Sequence, residues 1–225
     1  MHVKFCGFTQ LADIRIATRL GVDAIGLVFY PPSPRSVTIA QAQNLLAEVP
    51  AFTSVVALVV NMDSKDLMEL ADKVAFDIIQ FHGDESPEHC QLLAESVNKR
   101  WIKALRINNE LDTVESVKAQ IDQFASAGAS SILLDAYNTQ KYGGTGDKFN
   151  WNLVPQDSAL PIILAGGLDA DNVVATLDLP IYAVDVSGGI ESAKGKKDAT
   201  KMCGFMKAVK HDRWQSVTLG ESSKF

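Results

Sequence analysis

The side chains suited to acid–base work or to holding an anion fall in a few short stretches of this sequence. Cys6, followed by Gly7, ends an apolar run, and Asp135 ends another, directly after Ile132, Leu133 and Leu134. A carboxylate abutting apolar residues must find a partner or face a pocket, so Asp135 is either a pocket group or a cap of the next loop. Free cysteines are commonly small buried hydrophobes, yet a cysteine beside a glycine at a strand end can face a pocket, and both readings of Cys6 stay open. Ala165-Gly166-Gly167-Leu168 and Ser187-Gly188-Gly189 are paired glycine motifs. Such glycines let backbone N–H groups approach an anion such as phosphate, and a following helix N-terminus adds its dipole. Arg35 stands in Pro31-Pro32-Ser33-Pro34-Arg35-Ser36. Prolines stiffen this loop, and an arginine so presented either clamps a carboxylate or phosphate or is a solvated surface residue. Asn61, Gln80, His82 and Asp185 are the other polar residues at strand ends. His82 reads equally as a base or as a hydrogen-bonded packing residue. No Ser/His/Asp set and no paired-His motif is evident, so neither a metal nor a cofactor is expected.

The elements that must position these groups are eight short β-rich runs: 3–6, 24–28, 54–60, 78–81, 101–105, 131–135, 162–165 and 183–186. Several are nearly continuous in Val, Ile and Leu, as suits strands buried on both faces of a parallel sheet. Amphipathic stretches lie between them. Leu11, Ile14, Ala17 and Leu20 share one helical face. Asp63 and Ser64 are candidate caps for a helix over 64–74, and Pro87 after Ser86 suits a first helical turn. A last helix is expected over 198–209. Alternation of strand and helix from start to finish predicts a parallel sheet, and eight units in 225 residues favour a single (β/α)8 barrel over an open sheet. Active groups of such a barrel gather at the C-terminal strand ends, and the loops after strands seven and eight form a recurrent phosphate site. Segments 29–37 and 136–150 are long enough to be site loops. Gly143-Gly144-Thr145-Gly146 is either a third wall of the site or simply a loop. The barrel is expected to occupy residues 1–212, and a polar tail, 213–225, to be frayed.

Composition narrows the partners. A net charge of −6 without a Lys/Arg cluster argues against a nucleic-acid surface. Apolar runs are far shorter than the about 20 residues a membrane span needs, and the first residues do not read as a signal peptide. The odd number and wide spacing of Cys6, Cys90 and Cys203 suggest neither a disulfide framework nor a zinc site. A reducing, cytoplasmic setting is expected. The partner expected is a small phosphorylated molecule, and both monomer and homodimer stay open.

Taken in order, the motifs resemble the phosphoribosylanthranilate isomerase family of tryptophan biosynthesis. They are Lys4-Phe5-Cys6-Gly7-Phe8-Thr9, Phe29-Tyr30-Pro31-Pro32-Ser33-Pro34-Arg35, Gln80-Phe81-His82-Gly83-Asp84-Glu85, Leu134-Asp135, Tyr142-Gly143-Gly144-Thr145-Gly146, Phe149-Asn150-Trp151, Leu164-Ala165-Gly166-Gly167-Leu168 and Val184-Asp185-Val186-Ser187-Gly188-Gly189-Ile190-Glu191. Two departures stand out: Phe5 where the family often has isoleucine, and Gly188 where it usually has a second serine. The resemblance implies an Amadori rearrangement of an aminoaldose phosphate, with Cys6 as general base, Asp135 as general acid and Arg35 touching the anthranilate moiety. Gly166, Gly167, Ser187, Gly188, Gly189, His82 and Asp185 then fall to substrate binding, and the reaction requires no redox cofactor. These roles ask for positive potential near Cys6 and desolvation around Asp135. Lys4 shares the parity of Cys6 and can point inward below it. Related barrels share the glycine motifs: indole-glycerol-phosphate synthase, ribulose-phosphate epimerase and the histidine-pathway sugar isomerase, which uses two aspartates. A barrel that only binds a phosphorylated metabolite is the reading from outside enzymes.

Overall fold

The computed structural model describes residues 1–136 and 150–218, with backbone alone for 211–218. Strands β1 (His2–Cys6), β2 (Ala24–Val28), β3 (Ser54–Val59), β4 (Ile78–Phe81), β5 (Arg100–Ile107), β6 (Ser131–Ala136), β7 (Ile162–Leu164) and β8 (Ala183–Val186) form a closed barrel. Each strand pairs in parallel with the next, and β1 closes the ring on β8 through His2↔Ala183 and Lys4↔Asp185. The eight expected runs are the eight strands, with ends shifted by one or two residues.

Helices α1 (Leu11–Arg19), α2 (Ile39–Leu46), α3 (Ser64–Lys73), α4 (Pro87–Ser96) and α5 (Val114–Ser126) follow the first five strands, and α6 (Ala199–Thr218) follows the eighth. Side chains that accept from otherwise orphaned backbone N–H groups start four of them: Thr38, Asp63, Ser86 and Thr113. The expected strict alternation fails in the second half. Among the described residues, β7 is preceded only by a 3-10 turn, Trp151–Leu153, and β7 and β8 are joined through another, Val173–Thr176. After β8 come a 3-10 turn, Gly188–Ile190, and a small hairpin of β9 (Glu191–Ala193) and β10 (Lys196–Lys197). None of the described helices is long and apolar enough to cross a membrane.

Strand parity divides the side chains into two layers. On β1, Phe5 points outward and packs edge-on against Phe205 of α6. Lys4 and Cys6 point inward. On β5, Trp101 reaches outward to Phe124 of α5, while Ile102 and Ala104 face in. Ile102, Ala104, Leu133, Ile163, Ala165 and Ala183 fill one part of the interior, and Cys6, Val28, Leu58 and Val60 form a second group. The polar inward residues Lys4, Gln80, His82, Asp135 and Asp185 are all buried.

One ion pair in the outer layer sets the loop after β4. Lys103 Nζ donates to Glu85 at 2.7 Å and to the Gly83 carbonyl at 2.6 Å. Glu85 also accepts from the backbone N–H groups of Asn61 and Gly83, at 2.7 and 3.0 Å. This four-bond knot fixes the turn that directly follows His82. Lys103→Met would leave the buried Glu85 carboxylate without its cation, held only by two backbone N–H groups, and should cost about 3–5 kcal/mol. Urea unfolding measures it. A loss under about 1 kcal/mol would mean that the carboxylate escapes to water.

Candidate active site

Cys6 ends β1 with its side chain inside the mouth of the barrel. Room for it comes from Gly26, its register partner on β2. A Cβ at position 26 would lie 2.6 Å from Cys6 Sγ, so only glycine fits beside the thiol. Below Cys6 the Lys4 ammonium pairs with Asp185 Oδ1 at 3.0 Å, with both side chains under one-tenth exposed. Desolvation pulls Lys4 down, but Asp185 and the thiol more than restore it, so its pKa is raised. Lys4 therefore points inward as its parity predicts.

A second charged group closes over Cys6 from the other side. Arg35 is buried, not solvated. Its Nε and Nη2 donate to the two oxygens of Glu191 at 2.7 and 2.8 Å. Lys197 Nζ donates to Glu191 at 2.8 Å, to the Cys6 carbonyl at 2.5 Å and to the Ser187 carbonyl at 3.2 Å. Desolvation lowers the Lys197 pKa, against the pull of Glu191. Burial works against the Glu191 carboxylate, but Arg35 and Lys197 outweigh it and hold its pKa down. Lys4, Arg35 and Lys197 against Asp185 and Glu191 leave one unit of positive charge beside the thiol. Positive potential near Cys6 is thus present, yet burial is the largest influence. It pushes the thiol up, Lys4 and Lys197 oppose it, and Asp185 reinforces it. Burial thus pushes the Cys6 thiol up, against the positive potential that the roles read from the sequence ask for.

Asp135 is the next-to-last residue of β6, buried, three strands from β1 around the ring. Its Oδ1 accepts from the N–H of Ala136 at 2.9 Å. His82, just beyond β4, places Nε2 3.3 Å from Asp135 Oδ2, and Gln80 Nε2 lies 2.9 Å from His82 Nδ1. Arg106, register partner of Asp135 on β5, is held by Asp84 of the loop after β4.

The two glycine motifs meet. Gly189 packs on the Leu168 carbonyl so closely that no side chain fits there. Gly166 and Gly167 adopt φ of +86° and +62°. Ser187 turns its hydroxyl to the Cys6 carbonyl at 3.0 Å, which leaves its backbone N–H as its contribution to an anion. The expected helix dipoles are slight: Val173–Thr176 and Gly188–Ile190 are 3-10 turns of four and three residues. At Gly188 a Cβ would meet only Arg35 Nη2, at 3.7 Å, so the position is open.

The expected site residues Cys6, Arg35, His82, Asp135, Gly166, Gly167, Asp185, Ser187, Gly188 and Gly189 all lie on or just beyond C-terminal strand ends. Tyr142 to Phe149 fall outside the described residues. Sequence reasoning missed Glu191 as the partner of Arg35, Lys197 as the second cation on Glu191, and Gly26 as the gap for the thiol. Glu191 ended a motif already singled out, and an acid there was the available signal. No group of three metal-ligating side chains occurs among the described residues.

Lys4→Met removes the cation next to Cys6 and leaves Asp185 unpaired, and both changes disfavour a thiolate. Iodoacetamide alkylation of Cys6, followed against pH in a Cys203→Ser background, should shift its midpoint to higher pH. An unmoved midpoint would dispose of Lys4 as a tuning group.

Comparison with known proteins places this geometry. A sequence model described as N-(5'phosphoribosyl)anthranilate (PRA) isomerase matches residues 3–208. The N-(5'-phosphoribosyl)anthranilate isomerase of Acinetobacter calcoaceticus is 47% identical over 209 residues, 92% of this chain and 96% of its own. The crystal structure of the phosphoribosyl anthranilate isomerase from Thermotoga maritima superposes with a TM-score of 0.81 at 33% identity, covering 94% of this chain and 99% of that one. A phosphoribosyl anthranilate isomerase in complex with reduced 1-(o-carboxyphenylamino)-1-deoxyribulose 5-phosphate superposes at 0.75, with 30% identity and coverage of 94% and 99%. Matched over this length and at this identity, the chain belongs to the N-(5'-phosphoribosyl)anthranilate isomerase family.

Proposed function

We propose that this chain converts N-(5'-phosphoribosyl)anthranilate to 1-(2-carboxyphenylamino)-1-deoxyribulose 5-phosphate, a step of tryptophan biosynthesis, with Cys6 as base and Asp135 as acid. The observation that carries the assignment is the placement of these two groups on strands β1 and β6 of one mouth, with the glycine loops after β7 and β8 between them. The phosphate takes backbone N–H groups of those loops. Arg35, already buried and oriented by Glu191, contacts the anthranilate ring or its carboxylate. His82 and Asp185 complete the floor of the pocket.

Asp135 gives its proton to the furanose ring oxygen, and the C1–O bond breaks to give a Schiff base. The Cys6 thiolate takes the proton from C2. The C2–H electrons move toward the C1=N bond, giving an enolamine. Tautomerisation then adds a proton at C1 and removes one from the C2 hydroxyl, so the product is an isomer of the substrate. Each positioned acid or base contributes about 10²–10⁴-fold. A buried thiol with a raised pKa is rarely ionised, but its thiolate is the stronger base, and the cationic Schiff base makes the C2 proton more acidic. The three free cysteines fit a reducing cytoplasm.

Loss of anthranilate-adduct fluorescence on adding enzyme to fresh substrate tests the activity directly. Cys6→Ala and Asp135→Asn should each lower kcat by about 10²-fold or more with little change in KM. Near-normal turnover of either variant removes that residue from the mechanism. Arg35→Met should act mainly on KM, and an unaltered KM would leave the arginine a purely structural partner of Glu191. Gly188→Ser fits the open space and should lower KM at constant kcat by adding a hydroxyl to the phosphate cradle. If KM stays the same, the cradle does not extend to that position. Turnover of the histidine-pathway aminoaldose, measured alongside, separates the nearest rival. Tight binding of a product analogue without turnover would mark a barrel that only binds.

A further inference from the structure

Among the described residues only three buried side-chain polar atoms lack a hydrogen-bond partner, and two of them, Gln80 Oε1 and His82 Nε2, belong to side chains in contact with each other. Leaving a buried polar group unpaired costs stability, so a native fold keeps one where the group has another task. His82 Nε2 is 3.3 Å from Asp135 Oδ2, close but not aligned as a formed hydrogen bond. Catalytic hydrogen bonds are often long in a free enzyme and tighten around the substrate.

Resting on the assignment of Asp135 as the acid, we propose that His82 is a positioning residue for Asp135, held by Gln80 in the tautomer that carries its proton on Nε2, and that it stabilises the carboxylate left when Asp135 protonates the ring oxygen. The orientation follows from the chain of contacts. Gln80 donates its amide N–H to Nδ1 at 2.9 Å, so Nδ1 accepts and the proton resides on Nε2, facing Asp135. Asp135 Oδ1 is occupied by the Ala136 N–H, which leaves Oδ2 for the imidazole. The intervening strand β5 carries there a small inward residue, Ala104. The backbone of His82 is anchored by its N–H to the Val59 carbonyl at 2.9 Å, and the Lys103–Glu85 knot fixes the turn after it.

The charged groups around the pair do not supply the same interaction. Arg106 beside Asp135 on β5 is engaged by Asp84, and Lys103 and Glu85 lie in the outer layer and satisfy each other. Lys4, Asp185 and Cys6 belong to the opposite side of the ring. Gly166 contributes no side chain. No proton is consumed overall: Asp135 loses one to the ring oxygen and recovers one in the tautomerisation, while His82 keeps its own throughout.

Two substitutions separate this role from a merely structural one. The glutamine amide can place an N–H where Nε2 stood, whereas asparagine is too short and can mimic only Nδ1. His82→Asn should lower kcat by about tenfold or more, as loss of a hydrogen bond to a charged group does, with KM within about threefold. Removing the donor makes the carboxylate harder to form, so the alkaline limb of the kcat profile should move to higher pH. His82→Gln should recover most of kcat and bring the limb back toward the parent. Thermal unfolding of both variants shows whether either has lost its fold. Equal kcat in the two folded variants, an unmoved limb, or a loss confined to KM would overturn the proposal while leaving the isomerase assignment intact. Absence of turnover by the parent enzyme would instead remove that assignment.

Discussion

The site depends on closing the barrel between β1 and β8 around buried charge. Lys4 and Asp185 are register partners across that seam, and loss of either would leave the other buried without its ion-pair partner. The same closure brings Cys6 to the rim and lets Lys197, from the hairpin after β8, reach its carbonyl. A thiol, two ammonium groups, a guanidinium and two carboxylates are thereby packed together with little water. In such a medium each charge is felt strongly by its neighbours. The arrangement persists because every cation has a carboxylate, and it is poised because the balance is one positive charge in excess.

That excess sits beside a thiol whose pKa burial pushes up. The two facts pull in opposite directions, and their competition sets the chemistry available. A thiol exposed to water near three cations would ionise readily and would be a weak base. A buried thiol without cations would scarcely ionise at all. Cys6 lies between: desolvation preserves the basicity of the thiolate, and Lys4 and Lys197 keep that thiolate within reach. Cys90 shows the contrast. It lies in the apolar core against a lone ion pair, its pKa is pushed up to about 12 by burial, and nothing in its surroundings gives it a partner in chemistry.

Much of this was legible in the sequence because strands buried on both faces announce themselves as runs of Val, Ile and Leu. The barrel followed from counting them, and the strand ends then named Cys6, Asp135 and the glycine pairs. The strict alternation of strand and helix was over-read between β7 and β8. Short apolar stretches such as Val173–Thr176 carry the spacing of a helix but not the length, and the chain crosses there in 3-10 turns. Arg35 was ambiguous for a physical reason. Its partner lies 156 residues away, and no local pattern distinguishes an arginine destined for a buried carboxylate from one destined for water. Lys197 was hidden in a stretch, Lys194–Lys197, that reads as solvated surface. Gly26 looked like an ordinary weak point of a strand, because its purpose is to leave room for a side chain on the neighbouring strand.

A chain of net charge −6 is proposed to hold a substrate that carries both a phosphate and a carboxylate. The resolution lies in distance and dielectric. Charges on the outer surface are separated from the mouth by solvent, and at physiological salt they fade over about 8 Å. The groups at the mouth act at contact, through oriented N–H donors and cations fixed when the chain folds. Arg35 illustrates how the fixing works. Glu191 neutralises it, which weakens it as a bare charge. The same fork locks the guanidinium plane, so an incoming ring or carboxylate meets a donor that needs no further ordering. In the proposed function, affinity for the anion then comes from geometry set during folding.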